Sequence, residues 1–280
     1  MDIRDRYISA LITGNEWVIN QEWGLTELAT IMLNANHTKK EISSINTLNG
    51  LSVNGNNSSS QQYKIGVIQL QGVMITEDQS CGPTGIRTLR NELYKFYSDS
   101  NISGILIEAN TGGGQASAAK MLNSAIIDRN KPVVVHAQML ASGGIWGTIN
   151  VDEIIGDVGS TFGSVGAYTS IDKEMVKNYL NTIDDIYADQ SSDKNKDIRE
   201  YFLGNKEPLQ QSVNKLADDF IKLVKPKLKG TNEEIAKVLK GGMFDSNFSL
   251  KTGLINRVGT RNLAINRVIQ NIKYYKNDKL

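Results

Sequence analysis

The chain has 280 residues, 40% of them apolar, enough for one large core or one domain with appendages, and its formal net charge of +1 gives no field that would gather nucleic acid. Cys81 is the only cysteine, which excludes a disulfide framework and a cysteine-based metal site, and the only histidines, His37 and His136, leave few candidates for a histidine triad. The first residues mix charges into their apolar positions, unlike a secretory leader, and no run approaches the roughly 20 apolar residues of a membrane span, so a cytoplasmic protein is expected.

Residues 2–13 and 24–36 carry apolar groups at helical spacing (Ile3, Tyr7, Leu11; Leu25, Leu28, Ile31, Met32), so an N-terminal helical segment is expected over residues 1–36. From His37 to Gln62 the composition turns polar, reaching NGNNSSSQQ, and residues 37–62 read as a linker open to proteolysis. A main domain follows over residues 63–260. It begins with KIGVIQLQGVMI at 64–75, continuous enough in its apolar character for a strand buried on both faces. After a loop with Cys81, Gly82 and Pro83 come a helix near 84–98 and the strand GILIEA at 104–109, a βαβ unit whose strand ends are ligand positions.

That second strand runs into Asn110-Thr111-Gly112-Gly113-Gly114 and a helix from about 116 to 128. The third strand, Val133-Val134-Val135 and beyond, stops at Ala141-Ser142-Gly143-Gly144. Two consecutive strands therefore deliver a glycine cluster and a serine to one edge of a sheet. A serine at the first turn of a helix lies beside unpaired N–H groups and the positive end of the dipole, where an oxyanion is stabilised. Taken alone, Ser-Gly-Gly is more often a helix cap and a turn; TGGG, which lacks the Lys-Ser/Thr of a phosphate loop, is as often as not a loose strand-to-helix connection.

Further on, a short strand is expected at 153–155, a bent strand in the small-residue run 159–168, a helix at 173–180 and a strand at 183–188. Helices follow at 206–226 and at 232–240, the latter opening on Thr231 with Glu234 at capping-box spacing. Residues 241–259 read as strand, helix and turn, and 261–280 as a C-terminal helix, basic at its end.

Several of these pieces together resemble the signal peptide peptidase A, or protease IV, family of serine peptidases. The resemblance covers roughly residues 64–260 and is strongest in KPVVVHAQMLASGGIWGTINVDEIIGDVGSTFGSVGAY. TGGG at 111–114 sits where that family has Pro-Gly-Gly, and MFDSNFSLKTGLINRVG where it has Val-Phe-Thr-Gly and Gly-Leu-Val-Asp. The resemblance implies an α/β fold of stacked βαβ units of the Clp protease and crotonase type, here with N-terminal helices and a helical C-terminal part. It implies a Ser–Lys dyad and no cofactor or metal, in keeping with the scarcity of histidine. Ser142 takes the nucleophile position, and Ser192-Asp193-Lys194-Asn195-Lys196-Asp197 matches the family's Ser-Gly-x-x-Lys-Asp with Lys196 as the base. Asp193 stands where the family has glycine, which keeps Lys194 as an alternative.

The chemistry sets a demand on either lysine. A free lysine titrates near ~10.4, so a general base at neutral pH needs a depression of about three units, which burial supplies. The lysine loop must fold over the sheet edge or be covered by a neighbouring subunit, and a homo-oligomer is expected on that ground. In the implied mechanism Ser142 attacks a peptide carbonyl, the lysine takes its proton, and the N–H groups of Gly113 and Gly143 hold the oxyanion. Ser164 could orient the lysine or simply pack in a tight strand, and His136 is read as a core or edge histidine rather than a catalytic one. Two helices, a linker and a peptidase core without a membrane span resemble the phage head maturation branch, which cuts capsid and scaffold proteins; a cytoplasmic housekeeping peptidase is the nearest rival. A crotonase-like acyl-CoA enzyme and a non-catalytic assembly protein on the same fold are the alternatives from other classes.

Overall fold

The computed structural model describes residues 17–19, 63–79 and 82–277. The helices expected at 2–13 and 24–36, the linker at 37–62 and Cys81 lie outside the described residues. Between the two expected helices, Trp17–Ile19 forms a strand, β1.

The order then runs β2 (Lys64–Gln71), α1 (Ile86–Ser98), β3 (Ile102–Thr111), β4 (Gly113–Gln115), α2 (Ala116–Ile127), β5 (Val133–Ala141), α3 (Gly143–Thr148) and β6 (Glu153–Gly163). It continues through α4 (Lys173–Thr182), α5 (Lys196–Phe202), α6 (Glu207–Val224), α7 (Asn232–Leu239), β7 (Met243–Asp245), α8 (Ser246–Lys251), β8 (Arg257–Val258) and α9 (Arg261–Asn277). The α/β architecture expected from the sequence is present. The main sheet has the order β2-β3-β5-β6-β7, parallel except for β7, with β8 pairing parallel to the start of β6.

Both faces of the sheet are covered, and the period-two rule sorts its side chains between them. Ile68, Leu70, Ile105, Ile107, Val133, Val135 and Ile154 join the core built with α1, α2, α3 and α6. Their alternates Ile65, Val67, Leu106, Val134 and Ile155 pack against Ala264, Ile265, Val268 and Ile272 of α9. Charge fastens α9 as well: Arg267 donates to Glu153 at 2.8 and 2.9 Å, Arg257 to the same carboxylate at 2.9 Å, and Tyr275 to Asp152 at 2.8 Å. Burial alone would raise the Glu153 carboxyl; the hydrogen bonds from Arg267 and Arg257 outweigh it and hold the group below the usual carboxylate range.

Two expectations are corrected. The strand expected at 183–188 is not formed: Ile183 and Ile186 are exposed, the latter at 96%, and among the described residues no strand pairs with the segment to satisfy an extended backbone. The strand at 153–155 and the bent run after it are one element, β6, whose residues 157–160 bulge out between the Ala137↔Gly156 and Met139↔Thr161 pairs. The capping box at Thr231 and Glu234 forms as expected.

Candidate active site

Parallel β5 ends at Ala141, in register with Gly163 of β6, and the chain turns sharply into α3. The turn is made at Ser142, with φ 49° and ψ −115°, a region that costs a non-glycine residue of order 1–3 kcal/mol. Its backbone is held from both sides: the N–H donates to Gly163 C=O at 2.8 Å, and the C=O accepts from Trp146 N–H at 3.0 Å. The side chain is 1% exposed, and its Oγ has no hydrogen-bond partner among the described residues. The hydroxyl therefore does not cap α3, since a cap would spend the oxygen on an N–H of the first turn, and it stands on a strained strand-to-helix turn of the kind a nucleophile elbow uses.

Gly143 opens α3, so its N–H has no intrahelical acceptor and lies beside that hydroxyl. Gly113 follows the end of β3, where Thr111 pairs with Leu140, two residues before Ser142. Its N–H donates to Thr111 Oγ1 at 3.1 Å, and Thr111 Oγ1 donates in turn to Gly72 C=O at 2.7 Å. Thr111 also abuts Gly144, where an added Cβ would come within 2.8 Å of its Cγ2. Sequence reasoning did not single out this threonine. The available signal was a hydroxyl residue two positions before a backbone donor at a strand end.

Ser164 lies one step past the Ala141↔Gly163 pair, beside Ser142, and also has a positive φ, 54°. Its N–H donates to Gly242 C=O at 2.8 Å. Ser142, Ser164, Gly113 and Gly143 are thus brought to one end of the sheet.

Neither lysine is hydrogen-bonded to Ser142 Oγ, which has no partner among the described residues. Lys196 is the first residue of α5, its side chain 54% exposed and 3.3 Å from Asp193, and Lys194 sits exposed in the preceding turn. Lys196 lines a cleft of about 1000 Å³ with Tyr179, Tyr187, Arg199, Phe202 and Val213; Ser142 is not part of its wall. Neither α4 nor α5 buries a single residue, and Leu180, Ile183, Ile186 and Leu203 stand exposed around them. His136 is a core residue, its Nε2 3.1 Å from Gly259 C=O. Among the described residues no cluster of His, Cys, Asp or Glu could hold a metal, and no helix is long and apolar enough to cross a membrane.

The chain is similar to protease 4 of Haemophilus influenzae, 25% identical over 217 residues, which is 74% of this chain and 34% of that protein. Protease 4 of Salmonella typhi is 26% identical over 203 residues, 70% of this chain and 32% of that protein. The chain spans about a third of the length of these two relatives. Among solved structures, ClpP1 of Listeria monocytogenes matches with a TM-score of 0.46 and 13% identity, over 70% of this chain and 92% of that one. Residues 125–274, more than half of the sequence and including Ser142, Ser164 and both lysines, match peptidase family S49, and the chain belongs to that family.

Proposed function

We propose that this protein is a serine endopeptidase in which Ser142 is the nucleophile and Lys196 the general base. The observation that carries the reading is the Ser142 hydroxyl: buried, without a hydrogen-bond partner, and held on a strained turn at a sheet end inside the S49 match. Ser142 Oγ attacks a peptide carbonyl and gives its proton to the neutral lysine, the leaving amine takes that proton, and water then hydrolyses the acyl-enzyme. The oxyanion is received by N–H groups of Gly143 and Gly113. For Gly113 this requires its N–H to leave Thr111 Oγ1, which still has Gly72 C=O to donate to.

An exposed lysine is a poor base at neutral pH, so Lys196 must be covered when the enzyme works. The exposed apolar side chains on its arm supply a reason for covering: Ile186 and Leu203 are 96% and 81% exposed, and a second copy packed there would bury them together with the lysine. The active form is therefore a homo-oligomer. Its substrates are polypeptides, and capsid or scaffold proteins in phage head maturation are the specific substrates we propose.

The test is incubation of the wild-type chain, Ser142→Ala, Lys196→Ala and Lys194→Ala with casein and with the chain itself, read by mass spectrometry. Cleavage abolished by Ser142→Ala and Lys196→Ala but retained by Lys194→Ala is the expected result. A wild type that cuts nothing, or a Ser142→Ala chain that still cuts, refutes the proposal.

A further inference from the structure

Strand β4 is short, and one of its edges is already taken. Gly113 C=O accepts from Met74 N–H at 2.8 Å, and Gln115 N–H donates to Met74 C=O at 2.8 Å. Backbone groups alternate sides along a strand, so the N–H and C=O of Gly114 face the opposite way. There they meet β1, which lies antiparallel in the register Trp17↔Gln115, Val18↔Gly114, Ile19↔Gly113. β1 is remote in sequence, yet its backbone lies close to both α2 and α3, the second of which is the helix that Ser142 opens.

The direction of β1 is informative. It runs from Gln115 towards Gly113, hence towards the sheet end where Thr111 and Leu140 are in register and Ser142 follows. A peptide presented to Ser142 has to be held extended, and pairing with a free strand edge does that with main-chain hydrogen bonds whatever the side chains are. The edge of β4 that faces Val18 lies where such a strand would add. Its occupant is an aromatic and two β-branched residues, well suited to an extended conformation.

An extended polypeptide paired with this edge of β4 belongs to the peptidase reading; we propose that Trp17–Ile19 occupies the edge as an internal competitor of that polypeptide. The inference rests on the peptidase reading for the identity of the incoming strand, but not for the occupancy itself. Three paired residues hold weakly, so the segment yields to a substrate rather than sealing the site.

Val18→Pro removes the N–H that faces Gly114; Ile19→Pro, whose N–H faces away from β4, is the control. In the full-length Ser142→Ala background, a fluorescein-labelled peptide of residues 14–21 is expected to bind the Val18→Pro chain about fivefold more tightly than the unsubstituted chain or Ile19→Pro. In the active chain, Val18→Pro is expected to lower KM for a fluorogenic apolar peptide by a similar factor with kcat unchanged. Equal peptide binding by all three chains overturns the proposal. Hydrolysis by none of the chains refutes the peptidase reading, while the binding comparison still decides the occupancy.

Discussion

Replacing the proposed nucleophile should make the protein more stable. Ser142 Oγ is buried without a partner, and a hydroxyl in that state forfeits about 1–3 kcal/mol of hydrogen bonding to water that folding does not return. Ser142→Ala keeps the backbone, removes the orphaned oxygen and leaves a methyl group in the same space, so it should stabilise by about 1–2 kcal/mol. Ser142→Gly also releases the strain at φ 49°, a gain of about 1–3 kcal/mol, against the extra chain entropy of glycine, about 0.5–1 kcal/mol. It should be at least as stable as the alanine variant. In a chain of this size each kcal/mol moves Tm by about 2–4 °C, and urea titration should show a higher midpoint with an unchanged slope. Both variants should lose all casein hydrolysis. An alanine variant with an unchanged or lower midpoint would mean that the hydroxyl has a hydrogen-bond partner in the native protein, and the orphaned-oxygen argument would fall.

Three other outcomes are expected. Gly114→Ala should cost about 1–3 kcal/mol in urea titration, because an added Cβ would lie 1.9 Å from Met74 C=O and the strand pairing on that side would have to open. Phe220→Ala should cost about 3–5 kcal/mol and red-shift tryptophan emission, since Phe220 is fully buried and stacks on Trp146 of α3 at 4.8 Å. Acid should loosen α9. The Glu153 carboxyl is lower in the folded chain than in the unfolded one, so its contribution is complete above the usual carboxylate range and is lost as pH falls through the lowered value. Urea midpoints measured from pH 6 down to pH 3 should therefore fall less in Glu153→Gln than in the wild type.

The central sheet was legible because its code is local. Each of β2, β3 and β5 is an apolar run whose alternate residues feed two cores, and the small-residue corner after Val135 marks where the third strand turns. What escaped depends on partners distant in the chain. Nothing near Trp17 says that its strand pairs with Gln115, and nothing in Ile183–Ala188 says that no sheet edge awaits an apolar stretch interrupted by Asp184 and Asp185. The four-residue excursion in β6 escaped for a related reason: Asp157–Ser160 reads as a break, and only the register with β5 shows the strand resuming beyond it. At the candidate site, Ser142 and the glycines lie at the ends of regular elements and could be read. The proposed base lies on an arm whose helices α4 and α5 hold no fully buried residue, so neither periodicity nor apolar content marks its place.

Backbone strain draws these separated parts together. Among the described residues, the non-glycine residues with positive φ are Ser142, Ser164 and Asn195. The first two stand side by side at the end of β5 and β6, and the third immediately precedes Lys196. Such conformations persist where the surroundings over-determine them, and they concentrate where a side chain must be aimed. At Ser142 the determinants are Gly163 C=O, Trp146 N–H and a helix buried along its whole length. Asparagine enters the left-handed region at little cost, so the turn at Asn195 is cheap, and its effect is to start α5 at the next residue. Lys196 is thereby carried on a helix, whose hydrogen-bonded backbone fixes the direction in which the side chain leaves, whereas Lys194 stays in a turn. A base has to meet Ser142 Oγ within hydrogen-bond reach. Under the proposed mechanism that demand favours the lysine on the helix over the one in the turn, and the Asn195 turn is what sets the two apart.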